Sequence, residues 1–203
     1  MLLKLEKLIA KYGMKITGVI QAGAHEGEEI DEFIRLGIKE GHLFEPCISY
    51  IKLLDKGIGE ADFTMHHCAL GNYKGEATMH LTSFNKGQSN SLLVPKKHLE
   101  YFPQIEFDND EPVYIRLLDS FEIDYCNFLV MDVQGYELEV LKGATETLKH
   151  IDYIYTEVNR EELYENCAMV EDLDNYLTEF RRVETKWKRK GFGDALYIRS
   201  TLL

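Results

Sequence analysis

No run in the sequence approaches the roughly 20 consecutive apolar residues that a membrane-spanning helix needs. The apolar core of a secretory leader is missing too. Met1 to Tyr12 reads MLLKLEKLIAKY, with Leu2, Leu5, Leu8 and Ile9 at helical spacing and lysines between them. Residues 1–13 are therefore expected to form an N-terminal helix, and a membrane partner is not expected. Cysteine is sparse: Cys47, Cys68, Cys126 and Cys167 lie far apart, form no C-x-x-C pair and match no zinc spacing. Cys68 and Cys126 sit in apolar segments, where a free thiol packs as a small hydrophobe. A reducing, cytoplasmic setting follows, with no structural metal. Positive charge is short. Against 35 Asp and Glu stand 23 Lys and Arg, a net charge of −12 that disfavours nucleic acid or an anionic membrane as partner. Internal repeats, low-complexity tracts and a P-loop are all absent.

What remains is a chain of 203 residues, 45% of them hydrophobic, enough for one domain with a continuous core. Strand-like and helix-like segments alternate, which predicts an α/β fold with a largely parallel sheet. Strands are expected at Ile16–Ala22, His42–Glu45, Asp62–Leu70, Gly75–Leu81, Val113–Leu118, Phe128–Asp132 and Tyr153–Val158. Helices are expected at Glu28–Leu36, from Pro46, at Glu137–His150 and at Val170–Phe180. Arg181–Lys188 and Phe192–Arg199 are joined by so short a connection that they predict an antiparallel hairpin. Between Ser83 and Glu111 the periodicity fails, and Pro95 and Pro103 fall inside the stretch. An irregular segment of that length inside a compact domain reads as a lid or binding loop on the acceptor side.

Two places carry chemistry. Val19-Ile20-Gln21-Ala22-Gly23-Ala24-His25-Glu26-Gly27 takes a buried strand through a glycine turn into a helix. Ligands bind at the carboxyl ends of such strands, where glycine lets the backbone turn sharply. The spacing is G-x-x-x-G, not the G-x-G-x-x-G of a dinucleotide pyrophosphate site. The second is Leu43-Phe44-Glu45-Pro46, where an acid ends the next strand. Such an acid can accept hydrogen bonds from vicinal ribose hydroxyls, or can cap the helix that follows.

The segment Val130-Met131-Asp132-Val133-Gln134-Gly135-Tyr136-Glu137-Leu138-Glu139-Val140-Leu141-Lys142-Gly143-Ala144 closely resembles the signature of FkbM-type methyltransferases, which reads like I-D-V-E-G-x-E-x-x-V-L-x-G-A. The upstream turn resembles that family's V-I-D-x-G-A-x-x-G, and Cys68-Ala69-Leu70-Gly71 its adenine-side segment. The resemblance runs from about Thr17 to Ile198. It implies a class I, Rossmann-like sheet of seven strands closing in an antiparallel hairpin, with helices on both faces. It also implies S-adenosyl-L-methionine as methyl donor, and a hydroxyl of a sugar, polyketide or related product as acceptor. The residues it places at the cofactor are Gln21, Gly23, Ala24, His25, Gly27, Glu45, Pro46, Cys68, Ala69, Leu70 and Asp132. Two positions depart from the pattern: Gln21 stands where an acid that helps hold the methionine ammonium is common, and Gln134 where a glutamate is.

An alcohol must lose its proton during methyl transfer, so a nearby base is needed. Asp132 and Glu157, each at the end of a strand, are the catalytic candidates, Asp132 first as the base and Glu157 as base or acceptor ligand; capping its helix or orienting the cofactor or acceptor are the other readings of Asp132, and a cap or surface acid that of Glu157. Glu137 can instead bind amides of its own helix, and His25 can touch the cofactor carboxylate, act as a base or simply be solvated. His66 and His67 are adjacent on a strand and face opposite sides, so they do not readily share a metal. Phe84, Tyr101 and Phe102 offer flat surfaces for a sugar ring; Lys96, Lys97 and His98 could meet an acidic acceptor. Arg181, Arg182, Lys186, Lys188, Arg189 and Lys190 cluster in the hairpin around Trp187. Edge protection accounts for them better than a nucleic acid partner does. A small molecule or glycan is the expected acceptor.

Overall fold

The computed structural model describes residues 1–51, 61–123 and 125–203. Among the described residues ten strands form in chain order: β1 (Val19–Ala22), β2 (Glu40–Phe44), β3 (Asp62–His66), β4 (Ala69–Leu70), β5 (Gly75–Leu81), β6 (Asn109–Arg116), β7 (Phe128–Met131), β8 (Tyr153–Asn159), β9 (Phe180–Trp187) and β10 (Phe192–Arg199). Seven of them make one sheet in the order β3-β2-β1-β7-β8-β10-β9. The first five are parallel, and β10 runs antiparallel to both β8 and β9. This is the class I methyltransferase arrangement.

The central strands are short and apolar because helices cover both faces. Val19 and Ile20 point to opposite sides, Ile20 into a core with Leu129, Val140, Leu141 and Ile154, Val19 into one with Phe33, Phe128, Val130 and Leu196. The amphipathic helix Leu5–Tyr12 buries Leu5 and Leu8 against the second core and ends at Gly13, whose φ of 61° is the left-handed conformation glycine adopts freely.

Several expected elements differ in detail. The strand expected over Asp62–Leu70 is two, because the Cys68 amide donates to the His66 carbonyl (3.0 Å) and turns the chain. β4 then leaves the main sheet for a three-stranded one, β4-β6-β5. β6 begins at Asn109, so Pro112 lies inside it. That is tolerated because β4 pairs only with Ile115 and Arg116, leaving one side of β6 open at the proline. The helix expected from Pro46 starts at Ile48. The Glu45 carboxylate accepts from the Cys47 amide (2.8 Å) and turns the chain first. The remainder of that expected helix lies outside the described residues. The helix expected over Glu137–His150 stops at Lys142, and a short 3-10 turn follows at Thr147–Lys149. Asp119 caps that turn, accepting from the amides of Glu146 (3.0 Å) and Thr147 (2.8 Å).

No helix among the described residues is long and apolar enough to cross a membrane. All four cysteines are free and buried.

Candidate active site

In the strand order, β1 leads outward to β2 and β3, and its other neighbour β7 leads to β8 and the hairpin. Connections therefore diverge between β1 and β7, where a crevice opens at the carboxyl ends of the strands. A cavity of about 490 Å³ sits there, a size that suits a small-molecule site. Among the residues expected at the cofactor or the chemistry, it is lined by Gln21, Gly23, His25, Glu45, Pro46, Ala69, Leu70, Asp132 and Glu157. Ala24, Gly27 and Cys68 do not line it. Ala24 and Cys68 are buried in the two cores, and the Gly27 amide closes the turn on the Ala24 carbonyl (2.8 Å).

The glycine turn is built tightly. Gly23 has φ 77°, and a Cβ there would collide with the Asp132 carbonyl. The amides of Gly23 and Ala24 both donate to the Phe44 carbonyl at 3.0 Å, and Asp132 donates to Ala22 at 3.1 Å, so the three strand ends are locked together. His25 follows with φ 48°, in the region disfavoured for side-chain-bearing residues. Its imidazole bridges Glu28 Oε1 and the Lys86 carbonyl, each at 2.8 Å. Burial pulls the imidazolium down, but Glu28 and the Lys86 carbonyl hold it above its ordinary range. Glu28, paired with it, is lowered to about 2. His25 thus ties the glycine turn to the 83–111 segment.

Glu45 turns the chain into the next helix and also faces the cavity. It is 5% exposed, its Oε1 accepts from Cys47 and its Oε2 from the His25 amide (2.9 Å), yet it lines the cavity with lone pairs to spare.

Gln21 is buried, donating from Nε2 to Glu29 Oε2 (3.0 Å), while its Oε1 has no partner. A buried amide oxygen beside a carboxylate fits an ammonium ligand. Glu29, eight residues on, also lines the cavity and brings a carboxylate beside Gln21; its Oε1 pairs with the Met1 ammonium at 3.4 Å. Glu29→Gln is expected to weaken S-adenosylhomocysteine binding about tenfold, an amount in the range of a charge-assisted hydrogen bond. Methylthioadenosine, which lacks the ammonium, should bind both proteins alike; calorimetry with the two ligands reads the difference.

Asp132 opens onto the cavity but is otherwise enclosed by protein. That enclosure, with Asp194 and Glu29 near, raises it to about 6 against the Gln134 hydrogen bond. Gln134 sits at φ 52° and donates from Nε2 to Asp132 Oδ1 (2.6 Å), while the Tyr164 hydroxyl donates to Gln134 Oε1 (2.9 Å). An amide can give that hydrogen bond to Asp132, which a glutamate carboxylate cannot. Glu157, 7% exposed, makes no hydrogen bond from its carboxylate to any described residue and faces the cavity. Burial, reinforced by Asp132, Glu137 and Asp194, raises it well above the carboxylate range against the opposing charge of Lys188. Glu137 does not line the cavity: its Oε1 accepts from the amides of Val133 (3.1 Å) and Gly135 (3.2 Å). It holds the turn after β7.

Glu28, Glu29, Asp194 and Tyr155 line the cavity without having been singled out from the sequence. Asp194 is opposite Glu157 in the β8–β10 register, and the Tyr155 hydroxyl donates to it. An acid inside the apolar strand Gly193-Asp194-Ala195-Leu196 was the available signal. Of the expected ring-stacking residues Phe102 lines the cavity, whereas Phe84 is 49% exposed outside it and Tyr101 donates to Glu161. His98 is buried in the wall with Nε2 3.1 Å from Ser89 Oγ, and burial lowers it to about 4. Lys96 and Lys97 pair with Glu162 and Glu161, the latter at 2.9 Å. His66 pairs with His42 at 2.8 Å, away from the cavity. Among the described residues no three His, Cys, Asp or Glu stand together as a metal site would need.

Comparison with known proteins gives a consistent answer. Residues 21–191 match the methyltransferase FkbM domain family. The chain is 28% identical over 196 residues to the 2-O-methyltransferase NoeI of Sinorhizobium fredii, covering 91% of this chain and 80% of that one. The crystal structure of an FkbM methyltransferase from Methylobacillus flagellatus superposes with a TM-score of 0.60 at 18% identity. That match covers 90% of this chain and 43% of that one, so this chain spans less than half the length of that protein. Magnesium protoporphyrin IX methyltransferase from Synechocystis, solved with bound S-adenosylmethionine, superposes at 0.55 with 9% identity, covering 96% of this chain and 77% of that one.

Proposed function

Because the chain belongs to the FkbM methyltransferase family, whose methyl donor is S-adenosyl-L-methionine, we propose that it methylates a hydroxyl oxygen, on a sugar of a glycan or glycosylated metabolite. The observation that carries the oxygen assignment is Glu157, a carboxylate in the cavity wall near Asp132 that accepts no hydrogen bond from any described residue. The 2-O-methyltransferase among its relatives supports the same choice of atom.

The residues at the carboxyl ends of β1 and β2 hold the cofactor. Glu45 takes the ribose hydroxyls, Gln21 with Glu29 the ammonium, and Ala69 and Leu70 the adenine side, with Gly23, His25 and Pro46 shaping the walls. Ala24, Gly27 and Cys68 act through the backbone and core that support those walls. When bound, the cofactor supplies a methyl group already activated by its sulfonium charge. The protein's own work is to align the acceptor oxygen with that methyl, which can contribute roughly 7–11 kcal/mol, and to take the hydroxyl proton. Glu157 accepts that proton. Asp132, anchored by Gln134, orients the acceptor and provides negative charge next to the cationic centre. The 83–111 segment roofs the cavity through Asn85, Ser89, Asn90, His98 and Phe102, and excludes water from the reacting atoms.

The test has two stages. Calorimetric titration with S-adenosylhomocysteine is expected to show saturable binding. A panel of saccharides, phenols and amines is then incubated with labelled methyl donor, and an O-methylated saccharide is the expected product. Methylation of phenols or amines with no saccharide turned over rejects the sugar assignment. Tight cofactor binding without transfer to any acceptor would instead favour a binding module.

A further inference from the structure

The basic hairpin divides in the structure. Arg182 is held by Asp174 (2.8 Å), and Lys186 donates to the Leu2 carbonyl (3.1 Å). The tip beyond β9 is different. Lys188 lines the cavity with Nζ 4.9 Å from the centroid of the Phe192 ring, and it pairs with no carboxylate among the described residues. Lys190 donates to the Tyr101 carbonyl and stands 4.0 Å from the centroid of Phe102. Phe102 and Phe192 both line the cavity, with centroids 6.1 Å apart. One end of the cavity is thus two aromatic rings flanked by two ammonium groups. Lys86, Lys96 and Lys97 of the 83–111 segment do not line the cavity and pair instead with Glu26, Glu162 and Glu161.

The rest of the wall is mainly acidic: Glu28, Glu29, Glu45, Asp132, Glu157 and Asp194 outnumber the Met1 ammonium, which pairs with Glu29 at 3.4 Å, and His25, which pairs with Glu28. That end suits the cations of the methyl donor and repels an anion. In a chain of net charge −12, an exposed lysine at the edge of an acidic cavity, in no ion pair with a described carboxylate, favours negative charge locally. A lysine resting on a ring face gives up little when it turns to an anion, because the exposed cation–π contact is weak beside a charge-assisted hydrogen bond. We propose that the acceptor is an anionic saccharide, its ring against Phe102 and Phe192 and its carboxylate or phosphate at Lys188, with Lys190 adding charge. This rests on the sugar-methylating reading above and names the acceptor class of that same site.

The experiment measures saccharide binding to protein saturated with S-adenosylhomocysteine, by NMR titration at low ionic strength. The probes are glucose, glucuronate and glucose 6-phosphate. Glucuronate or the phosphate is expected to bind about tenfold tighter than glucose, and which of the two binds better identifies the anion. The preference should shrink as salt is added. In Lys188→Met, which keeps the aliphatic stem over Phe192, it should fall to about twofold or less while glucose binding is unchanged. Equal affinity for the neutral and acidic sugars, no saturable binding of either acid, or a preference surviving Lys188→Met combined with Lys190→Met would each overturn the proposal. Failure of the wild-type protein to bind S-adenosylhomocysteine would strike the methyltransferase reading itself.

Discussion

Replacing Glu157 by glutamine is expected to lower kcat by about 10²–10⁴-fold, the range of general base catalysis. S-adenosylhomocysteine affinity should stay within about threefold, since the substitution removes no hydrogen bond to the cofactor side of the cavity. Glu157 is buried, its carboxylate accepts no hydrogen bond from any described residue, and Asp132, Glu137 and Asp194 are near it; these together raise it well above the carboxylate range despite Lys188. A base so placed is strong but must first be ionised. The wild-type rate should therefore climb with pH through the raised pKa, and Glu157→Gln should lose that limb.

Stability moves the other way. A carboxyl group whose folded pKa is raised contributes stability fully present below the unfolded value near 4. That contribution is lost as pH rises through the folded pKa. Glu157→Gln should therefore melt close to wild type at pH 4 and above it at pH 8. A variant less stable than wild type at pH 8, with no loss of kcat, would show that Glu157 is a structural acid.

The second large effect is at Gly23. Gly23→Ala is expected to destabilise the fold by about 3 kcal/mol or more and to abolish cofactor binding. Two costs combine there. The φ of 77° disfavours any side chain, and the new Cβ would strike the Asp132 carbonyl at the point where β1 and β7 meet. Gly13 separates the two. It has φ 61° and nothing within 4 Å of a built Cβ, so Gly13→Ala should cost only about 1–2 kcal/mol. Urea denaturation of both variants gives the comparison. Similar losses at the two positions would mean that the collision at Gly23 relaxes away.

Much of this was legible in the chain itself. Alternation of apolar and amphipathic segments is a local property, so the parallel strands, the closing hairpin and the N-terminal helix could be read directly from residue order. The strand ends that carry Gln21, Glu45, Asp132 and Glu157 were legible for the same reason: a parallel sheet places all its carboxyl ends on one side, and position in the strand then implies position in the cleft. The 83–111 segment was marked by its failed periodicity, although not which of its side chains turn inward. Phe102 and His98 face the cavity while Phe84 and Tyr101 do not, a choice made by packing against Tyr164 and Phe192.

Residue order by itself determined most of the strands, the glycine turn and the acids at the strand ends, because each depends on spacing along one short stretch of chain. The tertiary structure alone decided the partners between distant segments. It set Glu29 beside Gln21, placed Asp194 opposite Glu157, split β4 from β3 into a second sheet, and carried Lys188 from an edge hairpin into the mouth of the cavity. Burial and charge at a site are sums over neighbours from many elements, and such sums exist only once the chain has folded.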